Sequence, residues 1–276
     1  MMFLRCLFLF STVLLLTLVN RIMSTVVEPQ EINNVLVVIA MEAEAMPFIE
    51  RLDLKRNPEF FPSVTPFHAF EGTSFEHCKV TVVTNGKDGV HETGVDNVGT
   101  VPAALVTFLA LQKLPQVQLV LNAGTCGGFQ RKGAAIGDVY LTDAVAHHDR
   151  RIPIPNFDTY GVGKLETLVA DKLAALHGFK QGLCTTGNSL DYTDTDDKHM
   201  ELNDASIKDM EAAAVAWSAH LYSKPYLGIK VVTDIVDGDK PTQEEFLENL
   251  STAALSLQEA LPKVIAHTCG KRHDEL

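Results

Sequence analysis

The stretch VVIAMEAEAMPFIE, residues 37–50, decides the fold class. Its first residues are small, apolar and β-branched, which is typical of a strand buried on both faces of a parallel sheet. Two carboxylates, Glu42 and Glu44, follow where this strand ends and a helix is predicted over residues 43–52. The helix dipole favours acids in a first turn. Either these acids serve only the helix, or one of them takes part in chemistry.

The same alternation of strand and helix runs along the rest of the chain. The first strand is predicted to span residues 35–41. Further strands are predicted at 80–84, 118–122, 138–146, 182–186 and 226–233, and helices at 98–114, 210–222 and 242–267. Proline interrupts two of the helical segments: Pro47 is expected in a first turn or at a helix end, and Pro262 can break the last helix. The pattern predicts one α/β domain over residues 30–270, with a mixed, mostly parallel central sheet flanked by helices.

The bulk composition excludes one class of partner. The 276 residues carry a formal net charge of −12, with 46% hydrophobic and 21% charged residues. Phosphate backbones require a basic face, so no nucleic-acid partner is expected.

The two ends of the chain predict its compartment. Residues 1–23 contain an apolar core at 6–19, which has the length of a signal peptide and is short for a membrane span. No stable membrane partner is therefore expected unless this segment stays uncleaved as an anchor. The tail, residues 271–276, ends in HDEL, an endoplasmic-reticulum retention address. Both ends predict the lumen of the endoplasmic reticulum; translation from Met23 would instead give a cytosolic form.

Cysteine spacing adds no support to this compartment. Cys78, Cys126, Cys184 and Cys269 are far apart and form no CxxC pair, so buried free thiols are expected. Asn249-Leu250-Ser251 is a glycosylation sequon, which has meaning only if the chain enters the secretory pathway.

Candidate catalytic groups follow the predicted strands. In open α/β sheets the ligand lies outside the carboxyl ends of the strands, so polar residues at those ends are expected to share a cleft. They are Glu42, Glu44, a glycine-rich turn predicted at 122–128 (NAGTCGG), the segment 186–191 and Asp234, with Glu211 at a helix start on the same side.

Three of these carboxylates can divide the work of glycoside hydrolysis. Asp234 ends a very apolar strand, and partial burial there would raise its pKa and suit a general acid. Glu44 could hold and deprotonate a water molecule. Glu211 could accept hydrogen bonds from a sugar diol, or only cap a helix.

Other polar features have simpler explanations. His147 and His148 are adjacent, so on a strand they face opposite ways and do not form a metal site. The acidic run 191–199 lacks the spacing of a calcium loop and is expected to be a solvated loop. Cys126 is expected to pack in the core. The loop 149–158 is predicted to be either an interface or a substrate lid.

Taken together, seven segments resemble the plant-type 5′-methylthioadenosine/S-adenosylhomocysteine nucleosidases. In chain order they are IAMEAEA, VGTVPA, NAGTCGGF, KGAAIGDV, HDRRIPIP, KDMEAAAVA and VVTDIVDGDKPT. The resemblance covers residues 33–268. It implies the nucleoside-phosphorylase-like fold, a homodimer, a nucleoside substrate, and neither cofactor nor metal.

The resemblance also implies residue roles. Asp234 would protonate N7 of the leaving adenine, Glu44 would activate the water, and Glu211 would hold the ribose hydroxyls. Met210 would pack on the sugar or base, and four more residues fall at matching pocket positions: Met41, Thr125, Lys208 and Thr233. Glu42 would then be only a charge at the start of a helix.

One departure from the family pattern concerns residue 188. The family usually has TGDSLD where this chain has TGNSLD, so Asn188 replaces an aspartate. If that aspartate orients Asp234 or the adenine-binding loop, the rate would fall.

Three functions compete on this basis. The first is hydrolysis of 5′-methylthioadenosine, and of S-adenosylhomocysteine if it fits, in methionine salvage. The second is a purine nucleoside phosphorylase, which would need arginines for phosphate. The third is a non-catalytic adenosine-binding or storage protein of the secretory pathway.

Overall fold

The computed structural model describes residues 31–75 and 78–276. The predicted signal segment, residues 1–23, lies outside the described residues. Ten strands are present in the described part of the chain: β1 (Asn34–Ile39), β2 (Lys55–Arg56), β3 (His68–Ser74), β4 (Cys78–Thr84), β5 (Leu119–Gly128), β6 (Val139–His147), β7 (Leu165–Glu166), β8 (Lys180–Thr186), β9 (Ile207–Asp209) and β10 (Tyr226–Ile235).

Seven α-helices lie between or after these strands in the same described ranges. They are α1 (Glu42–Arg51), α2 (Thr100–Lys113), α3 (Phe157–Val162), α4 (Asp171–His177), α5 (Asp194–Leu202), α6 (Ala212–Leu221) and α7 (Thr242–Thr268). None of the helices in residues 31–75 and 78–276 is both long and apolar enough to cross a membrane.

The sheet is mixed, with parallel strands at its centre. β1 pairs in parallel with β4 on one side and β5 on the other, and β10 extends the parallel set beyond β5. Because β10 also pairs antiparallel with β6, the strands β10, β6, β8, β9 and β5 close into a ring. The carboxyl ends of β1, β5 and β10 therefore meet at one edge.

Helices cover both faces of this sheet. Val35 and Val37 of β1 belong to a core cluster that includes Phe48 of α1 and Leu261 of α7. The intervening residue, Leu36, belongs to a second cluster with residues of α2 and α6. A strand that is apolar on both faces must be covered by helices on both faces. The predicted α/β fold class is confirmed.

The glycine-rich segment 122–128 was predicted to be a turn, and this prediction is wrong. The segment forms the larger part of β5. Ala123–Gly128 pairs with β10, and Gly127 and Gly128 also pair with β9. Pairing on both sides satisfies the backbone, so the low strand propensity of glycine is overridden by tertiary context.

Two further local predictions are wrong. Pro47 lies in the middle of α1, which continues to Arg51, so the proline neither begins nor ends the helix. The acidic run 191–199 is not a loop throughout, because α5 begins at Asp194. Thr193 and Asp196 form a reciprocal capping box at its start, in which aspartate takes the place of the usual glutamate.

Two of the four cysteines in the described part of the chain are not free, contrary to the prediction. Cys78, at the start of β4, forms a disulfide with Cys269, which directly follows α7. The two residues are 191 positions apart in sequence, so no local spacing could reveal the pair. Cys126 and Cys184 are buried free thiols, as predicted.

The C-terminal tail packs against the same end of the sheet. The backbone N–H of Ile32 donates to Lys271 O, and His273 Nε2 lies 3.0 Å from Gln118 O. A short 3₁₀ helix spans His273–Glu275, and the terminal Leu276 is 5% exposed within the first core cluster. The last residue of the chain is thus part of the core.

Candidate active site

One cavity of about 240 Å³ lies at the carboxyl ends of β1, β5 and β10. All eight residues predicted for the site from the sequence line it: Met41, Glu44, Thr125, Lys208, Met210, Glu211, Thr233 and Asp234. They come from four separate parts of the chain, which the sheet brings to one edge. Ten more residues share the lining, including Leu190, Lys230 and Phe246.

Glu44 is held by the segment that was predicted to be a turn. Its Oε1 accepts hydrogen bonds from the backbone N–H of Thr125, at 2.8 Å, and from the Thr125 hydroxyl, at 2.6 Å. A Cβ on Gly124 would lie 3.3 Å from Glu44 Oε2, so glycine there gives the carboxylate its room. Burial raises the pKa of Glu44, and the Thr125 hydrogen bonds and Lys230 counteract it.

Asp234 lies against the same strand, β5, at Gly127, three residues after Gly124. A Cβ on Gly127 would lie 2.7 Å from Asp234 Oδ2, so this glycine is needed for the carboxyl group to approach. The Thr233 hydroxyl lies 2.8 Å from Asp234 Oδ1 and 3.1 Å from Cys126 O. Burial raises the pKa of Asp234. A protonated Asp234 could donate to Thr233 while Thr233 donates its single proton to Cys126 O.

Glu211 is the third carboxylate of the cavity. It directly precedes α6, and its Oε1 accepts a hydrogen bond of 2.8 Å from the backbone N–H of Gly99. Burial, reinforced by the negative charge of Asp209, raises the pKa of Glu211 to about 7. Within residues 31–75 and 78–276 no protein group donates to its other oxygen, which can therefore accept from a ligand hydroxyl.

Lys208 acts on a loop that closes one side of the cavity. Its ammonium group donates to three successive backbone carbonyls, of Ser189, Leu190 and Asp191, at 2.9, 2.6 and 3.3 Å. All three N–H donors are thereby used. Lys208 therefore fixes the position of Leu190, which lines the cavity.

A buried ion pair below the cavity was missed in the sequence. Lys230 Nζ lies 2.7 Å from Asp209 Oδ2, and both side chains are 2% exposed or less. Burial opposes ionisation of Asp209, but Lys230 beside it lowers the pKa of this carboxyl group overall. The Lys230 charge also lowers the pKa values of Glu44 and Glu211. A lysine inside the apolar strand YLGIKVVTDI was the available signal, because buried charges are paired.

Asn188 does not contact Asp234. Its side-chain oxygen accepts from the backbone N–H and the hydroxyl of Thr100, at 2.9 and 2.8 Å, and its amide nitrogen lies 3.2 Å from Asp149 Oδ2. Thr100 is the first residue of α2 and directly follows Gly99, the donor to Glu211. Asn188 thus links the segment before α2 to the loop that contains Asp149, and its nearest link to a cavity carboxylate is through Gly99 to Glu211.

The features that were set aside have structural roles. Cys126 packs in the second core cluster, as predicted, and burial raises the pKa of its thiol well above its usual range. Burial lowers the pKa of both His147 and His148 to about 4. Within the described ranges, no group of three or more histidine, cysteine, aspartate or glutamate side chains is arranged to hold a metal ion.

Comparison with known proteins agrees with this geometry. Residues 34–266 match the family model of the phosphorylase superfamily. A 5′-methylthioadenosine/S-adenosylhomocysteine nucleosidase of Arabidopsis thaliana is 44% identical over 246 residues, which cover 89% of this chain and 95% of the relative. The chain belongs to the 5′-methylthioadenosine/S-adenosylhomocysteine nucleosidase family.

Solved structures of this nucleosidase family extend the agreement to three dimensions. The apo form of the Arabidopsis thaliana 5′-methylthioadenosine nucleosidase has a TM-score of 0.86 with 43% sequence identity, covering 90% of this chain and all of that one. A futalosine hydrolase of Helicobacter pylori has a TM-score of 0.70 with 18% identity, which shows a shared fold alone. The predicted family and its nucleoside-phosphorylase-like fold are confirmed.

Proposed function

We propose that this protein hydrolyses the N-glycosidic bond of 5′-methylthioadenosine to adenine and 5-methylthioribose, as in methionine salvage. S-adenosylhomocysteine is a second candidate substrate, because the name of the Arabidopsis relative includes it. The reaction needs a proton for the departing base and a deprotonated water for the sugar carbon.

The observation that carries the proposal is the pair of buried carboxyl groups, from α1 and β10, that lie against β5. Glu44 contacts Gly124 and Thr125, whereas Asp234 contacts Gly127. Inverting glycosidases likewise use two separate carboxyl groups, one as the general acid and one as the base that activates a water molecule.

The two groups would act in sequence on one bond. Asp234, with its raised pKa, gives its proton to N7 of adenine as the C1′–N9 bond breaks and its electron pair moves to the base. Glu44 takes a proton from the water that forms the new C1′–O bond. Glu211 accepts hydrogen bonds from the ribose hydroxyls. The net protonation of the enzyme is unchanged, and exchange with solvent returns Glu44 to its ionised form and Asp234 to its protonated form.

The lining of the cavity argues against phosphorolysis. A phosphorylase needs cationic side chains for phosphate, and among the described residues that line the cavity none is an arginine. Its two lysines are committed, Lys208 to three carbonyls and Lys230 to Asp209. The Glu44 carboxylate would also repel phosphate.

Release of adenine from 5′-methylthioadenosine by the purified protein, with and without phosphate, tests the function. Equal release in both conditions is expected. Release that requires phosphate would identify a phosphorylase. Adenine binding without any release would identify the non-catalytic adenosine-binding protein.

We also propose a homodimer formed through α2 and α6, which pack against each other. Their outer surfaces carry exposed apolar side chains at helical spacing: Val101, Leu105 and Phe108 on α2, and Trp217 and Leu221 on α6. Val98 continues this surface to the cavity, which it lines. A second copy would bury the patch and complete the cavity wall.

The oligomeric state in sedimentation tests the proposal. The wild type is expected to be a dimer and Leu105→Glu a monomer; a monomeric wild type would refute the proposal.

For the compartment we propose the lumen of the endoplasmic reticulum. The predicted signal segment, the HDEL end and the Cys78–Cys269 disulfide all support an oxidising secretory compartment. Deletion of HDEL should send the protein into the medium. Continued cytosolic location would instead support translation from Met23.

A further inference from the structure

Asp234 stands on an irregular part of β10. Val232 pairs with Cys126 of β5, and Asp234 pairs with the next residue, Gly127, so Thr233 is an extra residue on β10. Such a β-bulge interrupts the ladder and re-aims the side chains beside it. The interrupted backbone needs partners elsewhere if Asp234 is to keep one position.

Helix α7 supplies these partners on both sides of Asp234. The side-chain amide of Asn249 donates to Thr233 O at 2.9 Å, and the backbone N–H of Ile235 donates to Glu245 Oε2 at 2.7 Å. Glu245 and Asn249 are four residues apart and therefore lie on one face of the helix. One helix face thus holds the peptide groups immediately before and after Asp234.

We propose that Glu245 and Asn249 are positioning residues for the reaction, fixing the backbone around Asp234 and placing a negative charge beside its carboxyl group. The inference deepens the nucleosidase function proposed above and rests on it. Neither residue lines the cavity, so neither acts on the substrate directly. Their neighbour on the same helix, Phe246, does line it.

The Asn249 amide is fully used in this arrangement. Its second N–H donates to Glu245 O at 2.9 Å, which ties the two positioning residues together. The same nitrogen is the acceptor atom of the sequon Asn249-Leu250-Ser251, and a glycan there would remove one of the two donors. The hydrogen bonds to Thr233 O and Glu245 O are therefore expected in the unglycosylated protein.

The charges that face Asp234 come from three elements. Burial raises the pKa of Asp234, and the Glu245 carboxylate on α7 adds to this effect. The Thr233 hydroxyl and the Lys208 ammonium group on β9 oppose it. The third neighbour, the Cys126 thiol on β5, is neutral because burial raises its pKa. Glu245 is thus the facing charge that favours the protonated acid.

Substitutions on α7 separate the charge from the hydrogen bonds. Glu245→Gln keeps an oxygen for Ile235 N–H but removes the charge, so the alkaline limb of the kcat profile should move about 0.5 pH unit lower, with KM within about twofold. Asn249→Ala removes the hold on Thr233 O and should lower kcat about tenfold at every pH, again with little change in KM. Glu248→Gln, on an exposed glutamate one turn from Glu244, is the matched control and should leave the profile unchanged.

Titration of the Asp234 carboxyl carbon by ¹³C NMR gives a readout that does not need turnover. The signal is assigned by its absence in Asp234→Asn, and Glu245→Gln should lower its pKa while Glu248→Gln should not. Equal titrations in both variants would overturn the role of the Glu245 charge, and an unchanged kcat in Asn249→Ala would overturn the positioning role. An inactive wild type whose Asp234 titration still responds to Glu245→Gln would refute the nucleosidase function and not this contact.

Discussion

The two ends of the central sheet use polar and apolar groups in opposite ways. At the carboxyl ends of β1, β5 and β10, three acids line a cavity: Glu44 and Asp234 are buried, and Glu211 is partly buried. At the amino ends of β1, β4 and β5, a disulfide and the buried terminal residue Leu276 close the core.

This difference assigns activity to residues at the carboxyl ends of the strands and stability to residues at the amino ends. Burial raises the pKa values of all three acids, so the ionised forms needed for some of their roles cost folding free energy. The amino ends carry groups that stabilise the fold, Cys78, Cys269 and Leu276, and none of these lines the cavity. Substitutions at the cavity should therefore reduce turnover with little loss of stability, and substitutions at the other end should do the reverse.

The largest effect is expected for Asp234→Asn. Amide replaces acid with little change of shape, so the fold should persist while the proton for adenine is lost. General acid catalysis is worth about 10²–10⁴-fold, and kcat should fall by about 10³-fold. Steady-state adenine release and a thermal melt check both halves of the prediction. Activity within tenfold of the wild type would show that another group protonates the base.

Glu44→Gln should come next, with kcat lower by about 10²–10³-fold. The glutamine oxygen can still accept from Thr125, so the affinity for adenine should stay within about threefold. Isothermal titration with adenine separates binding from turnover. If hydrolysis persists at the wild-type rate, the water is activated by a different group.

At the opposite end, Cys78→Ser should cost stability and leave kcat unchanged. Loss of a native disulfide typically lowers the free energy of unfolding by about 2–5 kcal/mol, and this one closes a long loop. Urea unfolding measures the loss. The control is the double variant Cys78→Ser/Cys269→Ser, whose stability should not respond to dithiothreitol, whereas that of the wild type should fall. A wild type that is insensitive to the reductant would mean that the two thiols are not joined.

The sequence predicts the cavity end of the sheet better than the disulfide end, because the two ends depend on different kinds of contact. Glu44 and Asp234 could be predicted because a buried strand leads directly to each, and the rule for parallel sheets brings such positions together. The contacts of Lys230 with Asp209 and of Cys78 with Cys269 could not, because they join residues that only the finished fold makes neighbours. The glycines of β5 were misjudged for the same reason: their use is to admit two carboxyl groups, which local propensity does not record.

Glu211 offers a test of the cost of burying an acid at the cavity. Its pKa is about 7 in the folded protein against an ordinary value of 4.5, so the folded state holds the proton over a pH range in which the unfolded state has lost it. Stability from this residue is therefore lost as the pH rises from about 4.5 to 7, by about 2 kcal/mol in total after allowance for its partial exposure.

Glu211→Gln should remove that slope. Between pH 5 and pH 8 the free energy of unfolding should fall less in the variant than in the wild type, and at pH 8 the variant should be the more stable of the two. Urea unfolding at both pH values measures this, with Glu248→Gln as an exposed control. Parallel pH dependences in the variant and the wild type would show that Glu211 is not significantly desolvated.

The smallest effect is expected at the chain end, for Leu276→Ser. Burial of a leucine side chain contributes about 1.5–3 kcal/mol, and a terminal residue should give the lower value, about 1.5 kcal/mol in urea unfolding, with kcat unchanged. Leu202→Ser, at an exposed leucine on α5, is the matched control and should cost nothing measurable. The result bears on the proposed retention address, because a receptor that reads HDEL would have to reach Leu276, which lies in the core. Equal stability of Leu276→Ser and the wild type would show that the tail is free in solution; the expected loss would show that any such receptor needs the terminal leucine to leave its site first.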